Sequence, residues 1–295
     1  MKLGIHAYAW TNHWDNSQLA LFARAASLGL DFLEVPLMAL KDVDPVAIRA
    51  AARDAGIGVL TSTTLAHGAD ITAGEPSVRE AGVTYLKRCV DAAQTMGSDL
   101  LTGVIYVEHG KRPDERPDET IWDRSASALR VVSEYAQTAG VTLGLEPVNR
   151  YESCLINTAE QAVAMTDRIG LANVGVHLDT YHMNIEEKDW AVPVHTAGKK
   201  LCHIHLCEND RGIPGTGLVE WDTLFGALHD IGYNGYGAME SFFSVSDDMR
   251  SGTCIWRDLA PDGDTLVSEG LRFLQALAAK HRPVAPGSGA GIAGT

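Results

Sequence analysis

Residues 174–187 read "VGVHLDTYHMNIEE", an apolar run that gives way to a segment rich in His and Glu. Successive side chains of a strand point to opposite faces, so if Val174, Val176 and Leu178 face one way, Gly175, His177 and Asp179 face the other. The run is apolar enough to be buried on both faces, yet it ends on a carboxylate. Seven further runs share this character: "LGIHAYAW" (3–10), "DFLEVPL" (31–37), "GIGVLTST" (56–63), "DLLTGVIY" (99–106), "VTLGLEP" (141–147), "KLCHIHL" (200–206) and "GYGAMES" (235–241). Between them lie amphipathic stretches such as "SVREAGVTYLKRCVDAAQTMG" and "TIWDRSASALRVVSEYAQTAG", several ending in the glycine that stops a helix.

Eight β-then-α units with strands buried on both faces predict an α/β fold of the (β/α)8 TIM-barrel type, built as a single domain over residues 1–281. A doubly wound open sheet is the rival. It usually carries a Gly-rich first turn, and "YAWTNHWDNS" after the first strand has no glycine. "GTG" at 215–217 reads as a loop hinge, and Pro193 predicts a short or distorted sixth helix. The closing stretch "RPVAPGSGAGIAGT" (282–295) has the Pro/Gly/Ser composition of a flexible tail.

Composition narrows the function. The chain has 295 residues, 45% of them hydrophobic, enough for one large core. Its formal charge of −14 argues against nucleic acid and against anionic membrane surfaces, and favours a small neutral or cationic partner. The five cysteines show no CxxC spacing, so reduced thiols and a cytoplasmic location are expected. His6 interrupts the apolar start, and no stretch reaches membrane-span length, so neither export nor a membrane anchor is expected.

Barrel active sites lie at the carboxyl ends of the strands. Four consecutive tips there carry Glu146, Asp179, His205 and Glu240, with His203 one layer away and His177 deeper. With no Arg or Lys at these tips, three converging carboxylates would repel one another and force protonation. A divalent cation resolves this, and three carboxylates with one imidazole suit manganese first, with cobalt or magnesium as alternatives, rather than a structural zinc site.

The segments "LEPVNRYE", "HLDTYHMNIEE", "HIHLCENDRGIPGTG", "LHDIGYNGYGAMESF" and "IWRDL" resemble the ketose 3-epimerases, the D-tagatose, D-allulose and L-ribulose 3-epimerases of the xylose-isomerase-like barrels. The resemblance covers most of the chain. It implies metal ligation by Glu146, Asp179, His205 and Glu240, polar substrate contacts from Glu152, His182 and Arg211, and aromatic pocket walls at Trp14 and Phe242. It implies inversion of carbon 3 of a free ketose: Glu146 and Glu240 would remove and return the proton on opposite faces, through an enediolate stabilised by the cation. A homodimer or homotetramer is the expected assembly. Glu186 and Glu187 are expected at a helix start or a subunit contact.

Three departures bear on the sugar. His6 stands where some relatives have an aromatic, "YVEHG" (106–110) lacks a tryptophan found in tagatose-type relatives, and Ser241 replaces a proline. The alternatives are an aldose–ketose or hydroxypyruvate-type isomerase on the same barrel, a DNA-repair endonuclease, and a non-catalytic sugar-binding protein. The acidic charge and single ligand set disfavour the endonuclease, and the joint presence of Glu146 and Glu240 disfavours the binding protein.

Overall fold

The computed structural model describes residues 1–242 and 246–281; the expected tail, 282–295, lies outside the described residues. All eight expected strands form: β1 (Lys2–His6), β2 (Phe32–Pro36), β3 (Gly58–Ser62), β4 (Leu100–Gly103), β5 (Thr142–Leu145), β6 (Val174–Asp179), β7 (Leu201–His205) and β8 (Tyr236–Met239). They pair in parallel in chain order, and β8 closes onto β1 with Leu3 opposite Gly237. This is the (β/α)8 barrel that the strand count predicts.

The helices are α1 (Ala20–Ser27), α2 (Pro45–Ala55), α3 (Pro76–Met96), α4 (Glu119–Ala139), α5 (Ala159–Ile169), α6 (Thr180–Glu186), α7 (Val192–Ala197), α8 (Trp221–Asp230), α9 (Asp247–Thr253) and α10 (Gly263–Lys280). Two of them, α6 and α9, are additions that follow β6 and β8 at the carboxyl ends of the strands. As anticipated, α7 is short, but Pro193 sits in its first turn, where a missing N–H costs nothing. The expected glycine stops are present on α2 to α5, at Gly56, Gly97, Gly140 and Gly170, all with positive φ.

Two packing layers hold the barrel. Outside, strands and helices share one apolar shell; α4 buries Ala126, Leu129, Val132 and Ala136, one face at helical spacing. Leu129 is fully buried, so its truncation to Ala should cost roughly 2–5 kcal/mol. Inside, Phe32, Leu60, Leu100 and Ala238 plug the amino-terminal end, with Cys202 and Tyr236 against them. Gly4 makes room for this plug, since a Cβ there would lie 2.4 Å from the Phe32 ring. Gly175 does face inward as the alternation requires, and a Cβ would meet Cys202 Sγ at 2.8 Å. The plug fills the interior below the strand tips.

A register shift between Val176 and His177 adjusts the β6–β7 ladder so that His177 stands opposite His203, and Asp179 opposite His205. The two tip residues thus become neighbours.

Candidate active site

Glu146 follows β5 directly, Asp179 and His205 end β6 and β7, and Glu240 follows β8. One ligand atom from each lies within 4.8 Å of the others. His205 Nδ1 is 3.3 Å from Glu240 Oε2, 3.6 Å from Asp179 Oδ2 and 3.8 Å from Glu146 Oε1. Asp179 Oδ1 is committed elsewhere, accepting from Tyr181 N–H at 2.7 Å to cap α6, which leaves Oδ2 for the cluster.

The structure corrects one expectation here. A cation does stand among the carboxylates: Arg211 Nη1 lies 2.6 Å from Asp179 Oδ2 and 2.9 Å from Glu240 Oε2. Arg211 comes from the loop after β7, has a left-handed backbone (φ 68°), and lies 4.2 Å over the Tyr181 ring. Charge alone therefore does not demand a metal. The donor set still fits one. His205 Nδ1 is buried and has no hydrogen-bond partner, while three carboxylate oxygens surround it. Oxygen donors with one imidazole suit a divalent cation of the manganese, cobalt or magnesium type.

Electrostatics separates the two glutamates. Burial pushes the Glu146 carboxyl well above the usual range, and repulsion from Glu240 and Asp179 adds to this against the pull of His205. Burial pushes Glu240 up as well, but Arg211 and His205 outweigh it and hold the group at about 2. Asp179 is kept well below its ordinary value, its burial overcome chiefly by Arg211. Burial lowers His205, yet Glu34 and Glu240 raise it well above the usual histidine value. A cation bound at Nδ1 would displace a proton.

Glu146 and Glu240 of the cluster line a cavity of about 270 Å³, together with Tyr8, Met38, His109, Glu152, His182 and Phe242 among others. That is just below the roughly 300–1,000 Å³ of typical ligand sites, and suits a small molecule of sugar size. A larger groove of about 820 Å³ runs along the outside of α3 and α4, away from the strand tips. Size therefore does not mark the site; convergent chemistry does.

Of the other expected contacts, Glu152, His182, Arg211 and Phe242 line the cavity. Glu152 accepts from Asn149 Nδ2 at 2.7 Å and pairs with His109 Nε2 at 3.2 Å. Burial opposes its ionisation, but the His109 hydrogen bond and the His182 and Arg211 charges hold it at about 2. His182 Nδ1 accepts from Asn149 N–H at 3.1 Å, and its Nε2 faces Arg211 Nη2 at 3.3 Å, with Asp179 Oδ2 at 3.8 Å and Glu146 Oε1 at 3.9 Å.

Two expected contacts lie elsewhere. Trp14 is 2% exposed and packs edge-on to Phe22 in the outer shell, because the chain turns outward after β1. His6 is buried below the cavity, bonded to Ser62 Oγ at 3.0 Å and accepting from Tyr8 N–H. The aromatic wall comes instead from Tyr8, whose ring centroid is 5.7 Å from that of Phe242. His177 and His203 lie deeper, as anticipated, with His177 Nδ1 bonded to Thr102 Oγ1. Glu186 ends α6 rather than starting a helix and pairs with Arg150 at 2.9 Å; Glu187 accepts from Ala159 N–H. Sequence reading passed over Tyr8, His109, Asn149 and above all Glu34, whose signal was a single carboxylate on the inward parity of "DFLEVPL".

A closed barrel with this constellation at the tips of its last four strands defines a class. The chain belongs to the xylose isomerase-like TIM barrel family, whose model matches residues 22–277. Its branch of that family is the ketose 3-epimerases. It is 34% identical to an L-ribulose 3-epimerase of Mesorhizobium japonicum, over 96% of this chain and 99% of that protein. It is 35% identical to a ketose 3-epimerase of Arthrobacter globiformis, over 93% of this chain and 96% of that one. A solved L-ribulose 3-epimerase superposes with a TM-score of 0.91 at 35% identity, covering 95% of each chain. The D-allulose 3-epimerase of Methylomonas sp. in complex with D-allulose gives 0.89 at 33% identity, covering 94% of this chain and 96% of that one. The protein is therefore an enzyme, an epimerase of ketoses. No helix among the described residues is long and apolar enough to cross a membrane.

Proposed function

We propose that the enzyme inverts carbon 3 of free, unphosphorylated ketoses such as L-ribulose and D-allulose, with Glu146 and Glu240 transferring the proton and a divalent cation, manganese first, held by Glu146, Asp179, His205 and Glu240. The observation that carries this is the meeting of two carboxylates, one pushed up by burial and the other held down by Arg211 and His205, over one sugar-sized cavity beside an imidazole nitrogen with no hydrogen-bond partner. Pairs of titratable groups whose environments push them apart divide acid and base roles between them.

Glu240, after β8, and Glu146, after β5, are suited to take the carbon 3 proton from one face and return one to the other. The roles exchange for the reverse reaction. The cation, when bound, would neutralise the negative charge that develops on oxygens 2 and 3. Arg211 and His182 offer polar contacts to oxygens near carbons 1 and 2, and Glu152 offers an acceptor fixed by His109 and Asn149. Tyr8, Val148, Phe242 and Ile255 wall the cavity with apolar surface that limits water access. Among its described lining residues Arg211 is the only Arg or Lys, and it is already paired to carboxylates. A phosphate there would face Glu146, Glu152 and Glu240, which supports an uncharged substrate.

The test is to incubate the metal-loaded enzyme with L-ribulose, D-allulose, D-fructose and D-tagatose in deuterated water and locate the label. Deuterium at carbon 3 with inversion supports the proposal. Hydrogen transfer confined to carbons 1 and 2 would replace it with the aldose–ketose isomerase reading.

A further inference from the structure

Glu34 lies midway along β2, on its inward face with Phe32, while Leu33 and Val35 pack into the outer shell. It is fully buried. A buried carboxylate needs hydrogen-bond donors, and Glu34 has two, both imidazole nitrogens from β7. His203 Nε2 is 2.9 Å from Oε2; His205 Nε2 is 3.2 Å from Oε2 and 3.3 Å from Oε1. The carboxylate spans the interior from β2 to β7. Ala238, the β8 partner of His205, puts only a methyl group in its way.

Those contacts decide which nitrogen of His205 is left for a ligand. With Glu34 accepting, the hydrogen sits on Nε2, and Nδ1 is turned to the three carboxylates with no other partner. His203 adds a second tie that keeps Glu34 from swinging away. His177 packs edge-on against the His205 ring at 4.1 Å between centroids and is itself fixed by Thr102. Carboxylate–histidine pairs of this kind orient metal ligands elsewhere in proteins.

We infer that Glu34 is a positioning residue that commits His205 to present Nδ1 to the cation, from the half of the barrel that supplies none of the ligands. This rests on reading Glu146, Asp179, His205 and Glu240 as a metal site. Glu34→Gln replaces an accepting oxygen by a donor and removes the charge, so the hydrogen of His205 is no longer held on Nε2.

The test reads metal binding rather than turnover. Mn2+ and Co2+ affinities are measured by calorimetry for the wild type, Glu34→Gln, His205→Asn and the double variant, with Co2+ absorption reporting the ligand field. Glu34→Gln should lower affinity by roughly 10- to 100-fold and change the Co2+ spectrum. Added to His205→Asn it should cost nothing further, because its effect passes through that ring. Wild-type affinity in Glu34→Gln overturns the inference, and so does an equal loss in the His205→Asn background, which would make Glu34 a through-space charge. A wild type that binds neither cation refutes the metal-site reading itself and this inference with it. If Glu34→Gln does not fold, Glu34→Asp keeps the charge but withdraws it by one methylene; the same loss is expected, and wild-type affinity there overturns the inference equally.

Discussion

Strands β5 to β8 bring Glu146, Asp179, His205 and Glu240 to the mouth of the barrel, whereas β1, β3 and β4 carry the buried His6, Ser62 and Thr102. The second set is uncharged: burial lowers the pKa of His6, and the other two are hydroxyls. One half of a nearly symmetric scaffold thus carries the cluster of titratable groups, and the other carries shape and neutral hydrogen bonds. Glu34 is the exception, a charge on the quiet half whose partners lie across the interior. The division teaches that the charged groups are gathered on four neighbouring strands, where groups a few Å apart can tune one another, and the proposed mechanism confines the reaction to them. It also ranks the expected effects of substitution.

The largest losses should come from the charged half. Glu146→Gln and Glu240→Gln should each reduce turnover by roughly 10²- to 10⁴-fold, the range of a positioned acid or base. Chelation should abolish activity and Mn2+ or Co2+ restore it. The loaded protein should also melt higher than the metal-free one, since a ligand bound only by the native state stabilises it. Full turnover after exhaustive chelation, or either glutamine variant keeping more than about a tenth of wild-type rate where at least ~100-fold loss is expected, would break the division between halves.

Arg211 gives a sharper test, because it already compensates the carboxylates without a metal. Arg211→Met leaves Asp179 and Glu240 buried beside each other with their cation gone, and breaking such a pair costs roughly 3–5 kcal/mol. The metal-free variant should lose that stability, while added Mn2+ should recover more of it than it adds to the wild type. Thermal melts with and without metal read this directly. An unchanged metal-free melt would show that the guanidinium does not carry the charge balance.

Glu152 sets a smaller effect with a defined pH window. Its folded pKa, about 2, is depressed from the ordinary 4.5, so its contribution is fully present above the unfolded value and is lost as pH falls toward 2. Glu152→Gln should therefore be less stable than wild type at pH 7, with the gap closing between pH 4.5 and 2. Urea midpoints across that range measure it. A gap independent of pH would assign the loss to packing instead.

These expectations separate what the sequence disclosed from what it hid. The eight strands and their closure were legible because strands buried on both faces read as apolar runs, and alternation then fixed which tip residues turn inward. The same parity pointed at Glu34, but its partners lie 169 and 171 residues away, so a lone carboxylate in an apolar strand gave no hint of purpose. The place of Arg211 depends on one left-handed backbone position in a loop, which no periodicity encodes. Trp14 shows the opposite error. An aromatic just after a strand can roof a pocket or plug the shell, and only the turn of the chain decides; here it meets Phe22 and leaves the wall to Tyr8.

That exchange shapes the smallest predicted effect, substrate range. Carbons 1 to 3 should meet Glu146, Glu152, His182, Arg211 and Glu240, a set of hydrogen-bonding groups, while the far end of the cavity meets Tyr8, Met38, Phe242 and Ile255. A polar site rejects a substrate lacking its partner far more strongly than an apolar wall rejects a change of one carbon: about 10⁴-fold or more against roughly 10- to 200-fold. L-ribulose and D-allulose should both be turned over, with kcat/KM differing by no more than about 200-fold and the pentulose ahead. A 3-deoxyketose should be inert. Tyr8→Phe keeps the ring and removes only a hydroxyl whose nearest partner is Met38 Sδ at 3.8 Å, so its effect on the pentulose-to-hexulose ratio should stay under about tenfold. Activity confined to one hexulose would show that the uncharged half discriminates as strictly as the charged one. A large shift in Tyr8→Phe would locate that discrimination in a hydrogen bond from the phenol to the sugar.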